Sequence, residues 1–189
     1  GSAYVFRRDD GGTPGDPSDD AWVQQAKLLA SVVLSGNDFG RSVALDGDLA
    51  LVGCPRDTNQ SGGQGSAYVF RRDDQGTPAD SSDDSWVQQA KLTPSPSNVY
   101  AGWSVALEGD VALLGEYAGS RAFVFRRDDQ GTPDLADDTW TQTTVLQASD
   151  PGNGQFGYAV ALDGGTALVS GGGDFTGFGG AGSVYVFVR

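Results

Sequence analysis

The chain repeats itself, and this constrains its fold more than any other feature. Gly1–Asp10 reads GSAYVFRRDD, and the same ten residues return at Gly65–Asp74. Shorter versions, RAFVFRRDD and GSVYVF, occupy Arg121–Asp129 and Gly182–Phe187. WVQQAKL occurs at Trp22–Leu28 and Trp86–Leu92, with WTQTTVL at Trp140–Leu146. A third block, FGRSVALDGDLALVG at Phe39–Gly53, returns as AGWSVALEGDVALLG at Ala101–Gly115 and FGYAVALDGGTALVS at Phe156–Ser170. The anchor aromatics Tyr4, Tyr68, Phe123 and Tyr185 lie 64, 55 and 62 residues apart. In such a chain each repeat is one supersecondary unit, and neighbouring units bury one another's faces.

Each repeat carries four short apolar segments: a (AYVFRR), b (WVQQAKL), c (SVAL) and d (LALVG). They have strand length and strand composition, and none shows sustained helical periodicity. Asp46-Gly47, Glu108-Gly109 and Asp163-Gly164 separate c from d. Acid–glycine pairs of this kind predict tight hairpins with a type I′ turn, which needs positive φ. The a–b links are uniform and rich in Pro, Gly, Asp and Ser, whereas the d–a links vary in length as surface loops do. Gly171–Gly182 (GGGDFTGFGGAG) reads as a long d–a loop between strands, not a phosphate loop opening a helix. The expectation is an all-β array of four-stranded antiparallel blades of β-propeller type, with a stacked β-solenoid as the alternative. About three blade-equivalents are present: an outer a–b hairpin over 1–38, blades over 39–100 and 101–155, and a partial blade over 156–189. Three are too few to close a ring, so the array is expected to be incomplete or completed by other chains.

Composition narrows the function. Glycine accounts for 29 residues without a collagen period, which suits many turns. Net charge is −13, so a phosphate backbone would be repelled and nucleic acid is not an expected partner. Histidine is absent, which removes the commonest general base and metal ligand. The single cysteine, Cys54, allows no intrachain disulfide. No apolar run is long enough for a membrane-spanning helix.

The third block resembles the FG-GAP repeat, the blade unit of the integrin alpha-chain propeller and of many bacterial extracellular proteins. Phe39-Gly40 is followed by Gly53-Cys54-Pro55, with cysteine in the alanine slot. The last repeat keeps Phe156-Gly157 but has Ser170-Gly171-Gly172. The middle one departs most, with Ala101-Gly102 and Gly115-Glu116-Tyr117. The resemblance implies that c is the innermost strand of a blade, followed outward by d, a and b. It also implies an extracellular or cell-surface setting, and adhesion or protein recognition as the task. Many relatives hold calcium in an acidic loop between c and d. Here that link is a tight turn, so those ligands do not carry over.

Two sets of residues are candidates for contact. The a–b loops place Asp-Asp after strand a and again before strand b: Asp9, Asp10, Asp19 and Asp20, then Asp73, Asp74, Asp83 and Asp84, then Asp128, Asp129, Asp137 and Asp138. Carboxylates brought within ~4–6 Å repel by a few kcal/mol per pair, which calcium would relieve with its 6–8 oxygen ligands. The alternative is pairwise neutralisation by Arg7-Arg8, Arg71-Arg72 and Arg126-Arg127. The second set is Trp103, which aligns with Arg41 and Tyr158 at a position that varies between repeats. Trp22, Trp86 and Trp140 recur at one strand position and are expected to pack, as is Cys54. Asn59-Gln60-Ser61 fits an N-glycosylation acceptor.

The leading functional expectation is a non-catalytic extracellular module for protein–protein contact, adhesion or self-assembly, with other chains or further copies of itself as partners. A carbohydrate-binding module and a propeller glycosidase or lyase using loop carboxylates are the alternatives. The second is disfavoured because catalytic carboxylates need two different environments, and these recur equivalently.

Overall fold

The computed structural model describes all residues except 14, 33–34, 58–63, 79, 97–99, 150–154, 175–180 and 189, and leaves the side chains of 172–174 and 181 aside. Asn59 and much of Gly171–Gly182 lie outside the described residues. Among the described residues, thirteen strands form four antiparallel sheets. Sheet 1 holds β1 (Ala3–Asp9) and β2 (Ala21–Leu28). Sheet 2 runs in the order β3 (Val43–Asp46), β4 (Leu49–Cys54), β5 (Ser66–Asp73), β6 (Ser85–Leu92). Sheet 3 runs β7 (Ala101–Glu108), β8 (Val111–Glu116), β9 (Arg121–Asp128), β10 (Thr139–Leu146). Sheet 4 comprises β11 (Phe156–Asp163), β12 (Thr166–Asp174) and β13 (Ala181–Val188). Sheets 2 and 3 are thus meanders of segments c, d, a and b. Sheet 4 has c, d and a, and sheet 1 has a and b. The predicted d–a loop in the last repeat is shorter than expected, because β12 extends to Asp174 and β13 starts at Ala181.

Strand alternation sorts each sheet's side chains onto two faces, and three apolar joints result. Between sheets 1 and 2, Ala3, Leu28 and Phe39 pack with Ala50, Val52, Cys54, Tyr68 and Phe70. Between sheets 2 and 3, the next residues along the same strands, Leu49, Leu51, Ala67 and Val69, meet Ala112, Leu114, Phe123 and Phe125. Between sheets 3 and 4, Leu113 and Ala122 meet Phe156, Ala167 and Val169. Phe39 stands edge-on to Tyr68 and Phe70, at 5.5 and 6.1 Å. Phe156 stands likewise to Tyr185 and Phe187, at 5.3 and 6.1 Å. Burial of each such ring contributes roughly 1.5–3 kcal/mol.

The sheets approach to backbone contact at the FG and GAP glycines. A Cβ on Gly53 would lie 2.1 Å from the Gly102 carbonyl oxygen of the next sheet, and one on Gly115 would lie 2.1 Å from that of Gly157. Gly102 and Gly157 have φ of 81° and 92°, and their own Cβ atoms would collide with Ser66 and Arg121 carbonyls at 2.2 and 2.4 Å. The Ser42 and Ser104 hydroxyls seal these contacts, donating to the Gly102 and Gly157 carbonyls at 3.0 and 2.9 Å.

The c–d hairpins correct the expected turn. Asp46 pairs with Leu49, Glu108 with Val111 and Asp163 with Thr166, so the acid is the last strand residue and the loop begins at the glycine. Gly47 and Gly109 have φ of 54°, while Asp48 and Asp110 stay out of the positive-φ region. That is the sign pattern of a type II′ turn, which spares a non-glycine residue the left-handed conformation. Only in the Gly164-Gly165 loop are both φ values positive, at 56° and 85°. The acid is used elsewhere: Asp46 accepts the Gly109 N–H of the next sheet's turn at 2.6 Å, and Glu108 accepts that of Gly164 at 2.8 Å.

The two kinds of glycine should therefore respond differently to substitution. Gly102→Ala and Gly157→Ala are expected to cost about 2–4 kcal/mol, because backbone must move. Gly109→Ala, with open space around its Cβ, should cost less, about 1–3 kcal/mol of backbone strain at the first turn position. Urea denaturation of the three variants checks this, and equal losses would contradict it.

Candidate functional site

The three a–b loops use their carboxylates identically. The first aspartate pair makes Asx turns. Asp9 accepts the Gly11 N–H at 3.2 Å and Asp10 that of Gly12 at 3.0 Å. Asp73 and Asp74 do the same for Gln75 and Gly76, and Asp128 and Asp129 for Gln130 and Gly131. In the second pair, the first aspartate accepts a threonine hydroxyl across the loop: Thr13 to Asp19 at 2.5 Å, Thr77 to Asp83 at 2.8 Å, Thr132 to Asp137 at 3.0 Å. The other meets the second arginine of strand a: Arg8–Asp20 at 2.7 Å, Arg72–Asp84 at 3.1 Å, Arg127–Asp138 at 3.0 Å. Arg7–Asp9 and Arg71–Asp73 add looser pairs at 3.7 and 3.5 Å.

Charge in these loops is thus balanced by arginine and by local N–H and O–H donors. Among the described residues no three acidic, cysteine or histidine side chains come together in a way that could hold a metal ion. The remaining oxygen of Asp20, Asp84 and Asp138 is buried with no hydrogen-bond partner. The other loop carboxylates keep the turn geometry and the arginine pairs described above, so a calcium ion, which takes six to eight oxygens, would compete with these donors for them.

The b strands carry residues whose role sequence reasoning missed. Each a–b pair has a β-bulge at the same place. Phe6 pairs with Gln24 and Val5 with Ala26, leaving Gln25 as the extra residue; Gln89 and Thr143 are extra in the other two pairs. A bulge re-aims the side chain it frees. Gln25 reaches the next sheet, donating to the Ser81 carbonyl at 2.8 Å and Asp84 at 3.2 Å and accepting Trp86 Nε1–H at 2.9 Å. Gln89 donates to the Leu135 carbonyl and accepts Trp140 Nε1–H at 3.3 Å. Trp86 and Trp140 pack as expected. Trp22 does not: it is 70% exposed, because no described strand lies against that face of sheet 1.

Arg41, Trp103 and Tyr158, drawn from three successive repeats, do come together. The Arg41 guanidinium lies 3.8 Å over the Trp103 ring, which stacks on Tyr117 at 4.5 Å. Tyr158 closes the cluster at 5.8 Å from Tyr117 and 6.2 Å from Trp103. The indole is already engaged by the protein's own cation and ring, so it is not a vacant platform for a sugar.

A buried ionic network in the second repeat had no signature in the sequence. Asp57 accepts the Ser66 and Tyr68 hydroxyls at 2.6 Å each and pairs with Lys91 at 2.9 Å. In the next repeat Glu116, fully buried, pairs with Arg121 at 2.9 Å. Burial raises the Asp57 pKa, but the donors from Ser66, Tyr68 and Lys91 outweigh it and hold the carboxyl below its ordinary value. Burial, with Asp57 nearby, pushes the Cys54 thiol up to about 12, leaving a packed and unreactive group.

Because the folded-state pKa of Asp57 is depressed, its contribution is present above the unfolded value near 3.9 and is lost as pH falls through the folded one. Asp57→Asn should cost about 1–3 kcal/mol at neutral pH. The gap between variant and parent should shrink on acidification below about pH 4. Denaturation curves across pH check this, and a gap independent of pH would contradict it.

Comparison with known proteins agrees with this geometry. No curated protein matches the chain. The family pattern described as the FG-GAP repeat matches residues 22–70 and 140–187, a little over half of the sequence. Those segments carry the bulged b strands, the FG glycines and the c–d–a strands that build the joints. The chain belongs to the FG-GAP repeat family.

Proposed function

We propose that the chain is a non-catalytic binding and structural module, extracellular or cell-surface in setting, working through contact with other protein chains and further copies of itself. Its sheets are blades of a β-propeller-type array. The observation carrying this reading is that one apolar joint is built three times with the same positions, while the two outermost faces leave the equivalent residues in solvent. Tyr68 and Phe70 of sheet 2 are buried, whereas Tyr4 and Phe6, their counterparts in sheet 1, are each 49% exposed. Leu168, Val184 and Val186 on sheet 4 are 41, 65 and 62% exposed, where Leu51, Ala67 and Val69 are closed off. Exposed apolar surface of this extent marks contact sites. The equivalent engagement of all three acidic loops supports a scaffold role for them. The family's extracellular relatives support the setting.

Light scattering after size exclusion tests self-association. The reading predicts a mass that is a multiple of 19.6 kDa, falling to the single-chain value in a Val184→Asp, Val186→Asp variant. A single-chain mass for the parent at every concentration would overturn it.

A further inference from the structure

The acidic residues are segregated along the sheets. Leu49 pairs with both Asp46 and Arg71, so the c–d turns and the a–b loops lie at one end of a sheet. The bonds that Asp46 and Glu108 accept from the Gly109 and Gly164 N–H groups align these ends across the joints. Twenty of the 25 acidic residues sit in these turns and loops or on the strand residues that border them. Among the described residues, the six arginines of the Arg-Arg pairs in β1, β5 and β9 stand against them, an excess of 14 negative charges. At the opposite end the acids whose side chains are described are each matched: Asp57 with Lys91, Glu116 with Arg121 and Asp38 with Arg56.

The segregated charge cannot spread out. All fifteen acids of the a–b loops are aspartates, with short side chains. Asp73, Asp74, Asp128 and Asp129 are tied to their own loop backbone by N–H donors, which hold a carboxylate without cancelling its charge. Between sheets 2 and 3 the facing loops border a groove of about 380 Å³. Asp48, Asp73 and Asp74 of sheet 2 line it together with Asp134 of sheet 3, and only Arg71 and Arg72 offset them. Like charge therefore meets like charge across the joint. Packed sheets lie about 10 Å apart, which is about the Debye length at 0.1 M salt; that length is about 30 Å at 0.01 M and about 3 Å at 1 M. Repulsion between successive loops thus acts in full in dilute salt and is screened out in concentrated salt. The attractive pairs respond less, because the carboxylates of Arg72–Asp84 and Arg127–Asp138 are only 1% exposed.

We propose that the acidic end is an ionic-strength-sensitive latch. In dilute salt the mutual repulsion of the loops loosens the joints at that end, and the turn-to-turn bonds of Asp46 and Glu108 yield first. Dissolved cations, acting by screening and not by coordination, close it. The device fits the chain to a saline medium.

Thermal denaturation of the 189-residue chain in sodium chloride from ~0.01 to ~1 M tests this, with mass followed by light scattering at each salt. Tm is expected to rise by roughly 10 °C. The rise should be equal in tetramethylammonium chloride, whose cation carboxylates do not coordinate. Asp74→Asn combined with Asp134→Asn removes two charges from facing loops and keeps the acceptors that the turns use. That double variant should be more stable than the parent at ~0.01 M salt and should match it at ~1 M. Asp38→Asn, at the balanced end, should gain nothing in dilute salt. Four results would each overturn the proposal: a Tm independent of salt, a rise in sodium but not in tetramethylammonium chloride, a rise only where the mass increases, or a double variant no more stable than its parent in dilute salt.

Discussion

The structure depends on a backbone-to-backbone approach between neighbouring sheets. A carbonyl of one FG glycine occupies the space where a side chain on the preceding sheet's Gly53 or Gly115 would be. With no Cβ at either partner, the sheets come close enough for the aromatic pairs behind them to interdigitate. The serine hydroxyls fix the relative position of the sheets, and Asp46 and Glu108 tie each hairpin turn to the next. At the far end of the joint the bulged glutamines hold the next sheet's tryptophans. Three separated devices on one joint therefore set the register of sheet upon sheet, and the apolar core between them supplies most of the stabilisation.

Much of this was legible in the sequence, for a physical reason. Each repeat meets the same neighbours, so the same residue types recur wherever a contact recurs. Strand positions and the burial of Cys54 follow from that, and the order c–d–a–b within a sheet was implied by the resemblance to the FG-GAP repeat. The departures arise where a residue acts across a joint. The acid–glycine pair was read as a local turn signal, but its carboxylate caps the next sheet's turn, and the turn is shifted by one residue. Gln25 and Gln89 gave no signal in the sequence, because a bulge leaves no trace in hydrophobic periodicity. Trp22 broke the packing expectation since a tryptophan at this position is covered only by the preceding sheet. The Asp57 network was invisible because it sits in the d–a link, where repeats differ.

The loop aspartates show what composition alone leaves open about charge. Fifteen carboxylates in three loops suggest a cation site. The spacing of their Asp-Asp pairs also matches the donors of a tight turn: glycine or glutamine N–H two residues on, a threonine hydroxyl across the loop, an arginine at the end of strand a. The aromatic cluster at Arg41, Trp103 and Tyr158 makes the complementary point. At this variable position the structure shows the side chains of three repeats in contact with one another.

If the joints carry the stability, protection against hydrogen exchange should follow the number of joints each sheet makes. Sheets 2 and 3 are covered on both faces, and sheets 1 and 4 on one. Native-state exchange of backbone amides measures this directly. Slowest exchange is expected in β4, β5, β8 and β9, with β1, β2 and β13 opening at ~2–3 kcal/mol lower free energy. Exchange in β1 and β2 as slow as in β8 would mean that each sheet is stable by itself, and would contradict the account.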